Sequence, residues 1–163
     1  MKIILMGQQV FGKSVLEKFH TETDHEVVAV YCTPDKVSEP IDPVKEYAQS
    51  VSLPVFQPSN FKDQEVLDQI KSHGADLCVM AYVVIFIPEG VRDIPTHGSI
   101  CFHPSLLPLH RGPSSINWPI IRGSTKIGLS IFYPNNGLDK GEILLQKEVD
   151  IGPDDTLGDV YFK

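Results

Sequence analysis

Short unbroken apolar runs along the chain take turns with segments whose apolar residues recur every three or four positions. Lys2 to Gly7 (KIILMG) is a continuous β-branched and apolar run closed by glycine, the pattern of a strand buried on both faces. Gly7 to Gly12 reads as a turn, and Lys13 to His20 has helical spacing through Val15, Leu16 and Phe19. His25 to Cys32 (HEVVAVYC) is a second buried strand, followed by a loop rich in Pro, Asp and Ser. Asp42 caps a helix that opens at Pro43 and passes through Val44, Tyr47 and Ala48. Leu53 to Pro58 is a short strand. Asp63 to His73 is an amphipathic helix with Val66, Leu67 and Ile70 on one face and Gly74 as its stop. Ala75 to Pro88 is a strand that runs on into an apolar loop, and Gly98 to Phe102 is another strand. Ser114 or Ser115 caps a helix reaching Ile121, with Trp118 buried along it. Ile127 to Tyr133 and Ile143 to Val149 are strands around the hairpin-like turn NNGLDKG. Asp155 or Thr156 starts a last helix with Leu157 and Val160 as its apolar face; about two turns is marginal for an unsupported helix. The expectation is one α/β domain over residues 1–163, a mainly parallel twisted sheet with helices on both faces, cut from a longer chain in its last helix.

Composition narrows the chemistry. At 163 residues, 42% hydrophobic and 21% charged, the chain can bury a substantial core. A net charge of −7 repels phosphate backbones and anionic lipid, so charge argues against nucleic acid as a partner. Cys32, Cys78 and Cys101 stand singly in or beside apolar runs, an odd number without CxxC spacing, and read as core thiols rather than disulfides or metal ligands. No apolar stretch is long enough for a signal peptide or a membrane span, which makes the expected location cytoplasmic.

Two motifs invite chemical readings. GQQVFGKS, Gly7 to Ser14, satisfies the phosphate-loop pattern GxxxxGK[ST] after a strand. Its Gln-Gln-Val-Phe insert is bulky for a loop that wraps phosphates, and no apolar run ending in an Asp that would hold magnesium is obvious. The second motif is ICFHPSLLPLHRGPSSINW, Ile100 to Trp118. Pro104 forces His103 out of the helical region, at the carboxyl end of a strand where open α/β sheets hold ligands. Asp139 lies in a second turn, flanked by Gly137 and Gly141, so His103 and Asp139 are a candidate acid–base pair. Ser105 lacks a nucleophile elbow, and His97, His103 and His110 lack zinc-ligand spacing.

FHPSLLPLHRGPSSINW together with GLDKG resembles the formyltransferase family that uses 10-formyltetrahydrofolate, and the likeness extends from KIILMGQQVFG to LLQKEVDIGPDDT. The motif resembles that of the N-terminal hydrolase domain of 10-formyltetrahydrofolate dehydrogenase more than the transferases' counterpart. The resemblance implies a Rossmann-like fold, 10-formyltetrahydrofolate as formyl donor, tetrahydrofolate as product and no metal. It carries the family's catalytic His and Asp onto His103 and Asp139, with Cys101 where the transferases have Asn. It also implies a folate slot between the Tyr82–Pro88 loop, with Ile85, Phe86 and Ile87, and the turn of Asn136, Gly137, Leu138 and Asp139. The family's acceptors are water, small amines or aminoacyl-tRNA. The bare residues leave two other readings open, a phosphate-loop nucleotide binder and a folate-binding module without catalysis. A thiol is a poor substitute for an amide donor facing an oxyanion, a loss worth about 2.7–4 kcal/mol where one such donor has been removed from an enzyme.

Overall fold

The computed structural model describes all residues, Met1–Lys163, and divides into two compact units, Met1–Ile100 and Cys101–Lys163. The first unit holds β1 (Lys2–Gly7), α1 (Gln9–Glu22), β2 (Glu26–Tyr31), α2 (Pro43–Ser50), β3 (Val55–Phe56), α3 (Gln64–Ser72), β4 (Leu77–Ala81) and α4 (Glu89–Arg92). Strand β5 (Ser99–His103) crosses the boundary, and the second unit continues with α5 (Asn117–Ile121), β6 (Lys126–Pro134), β7 (Gly141–Asp150) and α6 (Leu157–Tyr161). The hydrogen-bonded strand order is β3-β2-β1-β4-β5-β6-β7.

In the first unit β1 pairs in parallel with β2 and β4, and β2 with β3, as continuous apolar runs joined by helices require. Leu5 and Val30 stand opposite each other and form a buried cluster with Leu16 of α1 and with Val44 and Ala48 of α2. The next residue along β2, Tyr31, turns to the other face, where its hydroxyl meets Gln69 of α3 and His73. Helices therefore cover both faces, as the alternation of elements predicts. In the second unit β5–β6 and β6–β7 are antiparallel, the latter a hairpin around the turn at Asn135 to Lys140.

Three local expectations change. Helix α1 begins at Gln9, not after Gly12, so the supposed turn is helical. Neither Ser114 nor Ser115 caps α5: its N-cap is Ile116, with no side-chain hydrogen bond. Trp118 on that short helix is 48% exposed rather than buried, its ring under the Arg122 guanidinium at 5.6 Å. The remaining caps agree, with Asp42 accepting from Val44 N and a Thr156–Asp159 capping box opening α6. No helix is long and apolar enough to cross a membrane.

Candidate functional site

The phosphate-loop reading loses its donors: Gln8 N donates to the Ala81 carbonyl, Gln9 N to the Asp42 carboxylate and Gly12 N to the Gln8 carbonyl. The two glycines have a packing reason instead. A Cβ on Gly7 would lie 2.5 Å from the carbonyl oxygen of Ala81 at the end of β4. A Cβ on Gly12 would lie 3.2 Å from the same oxygen and 2.8 Å from Val44 Cγ2. Both glycines let β1 and α1 close onto β4.

The second unit builds a polar centre at the end of β5. Side chains alternate along a strand, so Cys101 and His103 share a face. His103 is buried, and its Nε2 lies 2.9 Å from the carbonyl oxygen of His110. A carbonyl only accepts, so Nε2 carries the hydrogen and Nδ1 is the nitrogen left for chemistry. Nδ1 faces Asp139 Oδ2 at 3.6 Å. Asp139 sits in the β6–β7 turn with φ 44, a left-handed conformation that Asp tolerates better than most residues. Its Oδ2 accepts from Gly112 N at 2.6 Å, and its carbonyl accepts from Arg111 Nε at 3.2 Å. Arg111 and Gly112 of the Ile100–Trp118 motif thus clamp the aspartate, and Gly112, at φ 82, supplies the backbone shape.

Cys101 has no such partner set: its thiol contacts the carbonyl of Phe102 at 3.5 Å. Burial, and secondarily the Asp139 carboxylate, push this thiol up to about 12, so it is protonated at neutral pH. Cys32 is pushed up to about 11, chiefly by burial and next by Asp42. Both behave as core thiols, although Cys101 is only half-buried as a residue.

The residues named for folate fall in two places. In the first unit, Tyr82 follows β4 with φ 65 and, with Ile85 and Ile87, lines a cleft at the carboxyl ends of β1, β2 and β4 beside Met6, Gln8 and Cys32. Phe86 lies outside that lining, 63% exposed and under the Arg92 guanidinium at 5.7 Å, while Pro88 caps α4. In the second unit, Asn136, Gly137 and Leu138 lead into Asp139; Gly137 N donates to Asn135 Oδ1 at 2.8 Å, and Leu138 is exposed.

Sequence reading missed three parts of this centre: the His110 carbonyl, and the side chains of Ser130 and Gln146 that hold the loop after His103. A backbone acceptor leaves no mark in a sequence. Ser130 did leave one, as a lone polar residue inside IGLSIF; Gln146, which faces it across the hairpin, is masked by the charged Lys147 and Glu148 beside it.

Comparison with known proteins matches the whole chain, residues 1–163, to the family model described as formyl transferase. The chain is 43% identical over 166 residues to cytosolic 10-formyltetrahydrofolate dehydrogenase of Mus musculus, across 99% of this chain and 18% of that protein. It is 40% identical over 166 residues to methionyl-tRNA formyltransferase of Alkaliphilus oremlandii (strain OhILAs), across 99% of this chain and 53% of that protein. It therefore spans 18% of the first relative and about half of the second. Among solved structures, phosphoribosylglycinamide formyltransferase from Bacillus halodurans has the same fold, with a TM-score of 0.85 at 21% identity over 99% of this chain and 86% of that one. A formyltetrahydrofolate deformylase from Pseudomonas syringae pv. tomato shares it at a TM-score of 0.82 and 22% identity, over 99% of this chain and 55% of that one.

Proposed function

The chain belongs to the formyl transferase family, and from that premise we propose that it moves a formyl group from 10-formyltetrahydrofolate to water or to an amine. The observation that carries this reading is the pairing of a buried His103 with Asp139 at 3.6 Å, in a setting that leaves Nδ1 as the working nitrogen.

The residues support a sequence of proton movements. The acceptor's oxygen or nitrogen attacks the formyl carbon, and the carbonyl electron pair moves onto oxygen. Protonated at Nδ1, His103 donates to that oxygen, and Asp139 stabilises the imidazolium. Asp139 also takes the proton that the attacking water or amine gives up and passes it, through water, to the departing N10. The oxygen's electron pair re-forms the carbonyl as the bond from N10 to the formyl carbon breaks with its electron pair on the protonated nitrogen, and His103 keeps its hydrogen. The products are tetrahydrofolate and either formate or a formylated amine.

Tyr82, Ile85, Phe86, Ile87 and Pro88 in the first unit, and Asn136, Gly137 and Leu138 in the second, are the proposed folate contacts. Support in the first unit is the run of exposed apolar side chains Tyr82, Val84, Ile85 and Phe86, surface that a flat ring would cover. Cys101 and the acidic charge weigh toward water or a small amine and against aminoacyl-tRNA. A cytoplasmic location is proposed on the same footing.

Tetrahydrofolate release from 10-formyltetrahydrofolate, followed with and without candidate amines, tests the reading. His103→Ala and Asp139→Ala are each expected to slow release by roughly 10²- to 10⁴-fold. Unchanged release in both variants would remove the site assignment. Tight folate binding with no release in the wild-type chain would make it a binding module.

A further inference from the structure

The tautomer of His103 is set by the carbonyl of His110, and the loop that carries this carbonyl is held from the far strand of the hairpin. His103 on β5 is in register with Ser130 on β6, and Ser130 with Gln146 on β7. Opposed residues of antiparallel strands project to the same face, so the three side chains form one cross-strand row. Gln146 Nε2 donates to Ser130 Oγ at 2.8 Å and to the Leu107 carbonyl at 2.8 Å. Ser130, fully buried, also accepts from Leu107 N at 3.1 Å and donates to the Ser105 carbonyl at 2.7 Å. Ser105 Oγ in turn donates to the Leu109 carbonyl at 2.7 Å.

The capacities of these groups are all used. A hydroxyl has one hydrogen and two lone pairs. Ser130 receives two N–H groups, so its hydrogen has only the Ser105 carbonyl to go to. Both hydrogens of the Gln146 amide are committed as well, one to each acceptor. The amide of Leu107 and the carbonyls of Ser105, Leu107 and Leu109 are thereby held. The next residue, His110 at φ 52, presents its carbonyl to His103.

We infer that Gln146 is a positioning residue for His103: its two N–H groups hold the Ser105–Leu109 loop, and through it the His110 carbonyl that keeps the imidazole hydrogen on Nε2. Gln146 touches no reacting atom in this scheme. The requirement is for two donors from one terminus. Methionine keeps the length without donors, glutamate keeps the shape with acceptors only, and lysine restores donors. Gln146 is exposed on an edge strand, so these substitutions do not open the core.

The inference rests on His103 being catalytic, and its test is read separately from turnover. Imidazole ¹⁵N resonances are recorded on the intact chain without folate, the His103 pair being assigned by its loss in His103→Gln. The wild-type chain is expected to show the Nε2–H tautomer. Gln146→Met and Gln146→Glu are expected to populate the other tautomer. They are also expected to lower kcat for tetrahydrofolate release by roughly 10- to 100-fold, with KM within about twofold. Gln146→Lys is expected to recover both readouts. An unchanged tautomer in the Met and Glu variants, or a folded Lys variant that recovers neither readout, overturns the inference. Unaffected release in His103→Ala would instead overturn the catalytic reading and leave the tautomer result to judge the positioning.

Discussion

At the scale of a single residue, Cys101 is the proposed determinant of the balance between acceptors. Its thiol, pushed up to about 12 by burial and then by Asp139, stays protonated and neutral at working pH. A protonated thiol is a poor nucleophile, and S–H is a weak donor. An asparagine on the same face of β5 would present an N–H group beside His103, where the proposed reaction develops charge on the formyl oxygen. Removing such a donor costs other enzymes roughly 10²- to 10³-fold in rate. Cys101→Asn is therefore expected to raise formyl transfer to an added amine about tenfold or more over the wild-type chain, read as formylated amine by mass spectrometry. No gain, with folding intact, would mean that the oxyanion does not develop on that face. The His–Asp pair itself was legible from the sequence, because proline and glycine mark both turns that carry it. The clamp on Asp139 from Gly112 N was not, since it is made by backbone.

At the scale of elements, side chains of the hairpin β6–β7 hold the loop after His103, and Gly128 is where that loop packs most closely on the hairpin. A Cβ there would lie inside van der Waals contact of the Lys147 carbonyl oxygen and 2.6 Å from Leu106 Cδ2. Gly128→Ala must therefore push β7 or the Leu106 loop aside, a strain of the kind that costs about 1–3 kcal/mol. The expected result is a urea midpoint lowered accordingly with an unchanged m-value, together with slower tetrahydrofolate release. An unchanged midpoint would show that Leu106 yields freely. The strands β1, β2 and β4 could be read directly because burial on both faces demands unbroken apolar runs. The start of α1 could not: GQQVFG carries a turn's glycines, yet they serve contacts with Ala81, on a strand far along the chain. Trp118 misled for the opposite reason. Its size suggests burial, but α5 is a single short turn whose indole packs against Arg122 on the surface.

On the scale of the whole molecule, alternating strands and helices gave away the parallel part of the sheet, and one aromatic cluster within it contributes to the chain's response to mildly acid pH. His73, at the C-cap of α3, lies between the Phe56 ring at 5.2 Å and the Tyr31 ring at 6.0 Å, with its Nε2 3.0 Å from the Tyr31 hydroxyl. Burial depresses its pKa below the ordinary 6.5, and it raises that of Tyr31 above the ordinary 10.0. The unfolded chain thus takes up a proton on His73 at a pH where the folded chain does not. The stability that neutral His73 provides is complete above about pH 6.5 and declines as pH falls from there toward the depressed folded value. Replacing it by His73→Gln removes the titration and leaves an amide that can still meet the Tyr31 hydroxyl. Wild-type and variant chains are expected to differ in how Tm changes between pH 7.5 and 5.5. The wild type should lose more, by less than the roughly 4 °C that 1 kcal/mol produces in a chain of this size. Equal losses in the two proteins would show that His73 titrates normally and that the aromatic cluster leaves room for its charge.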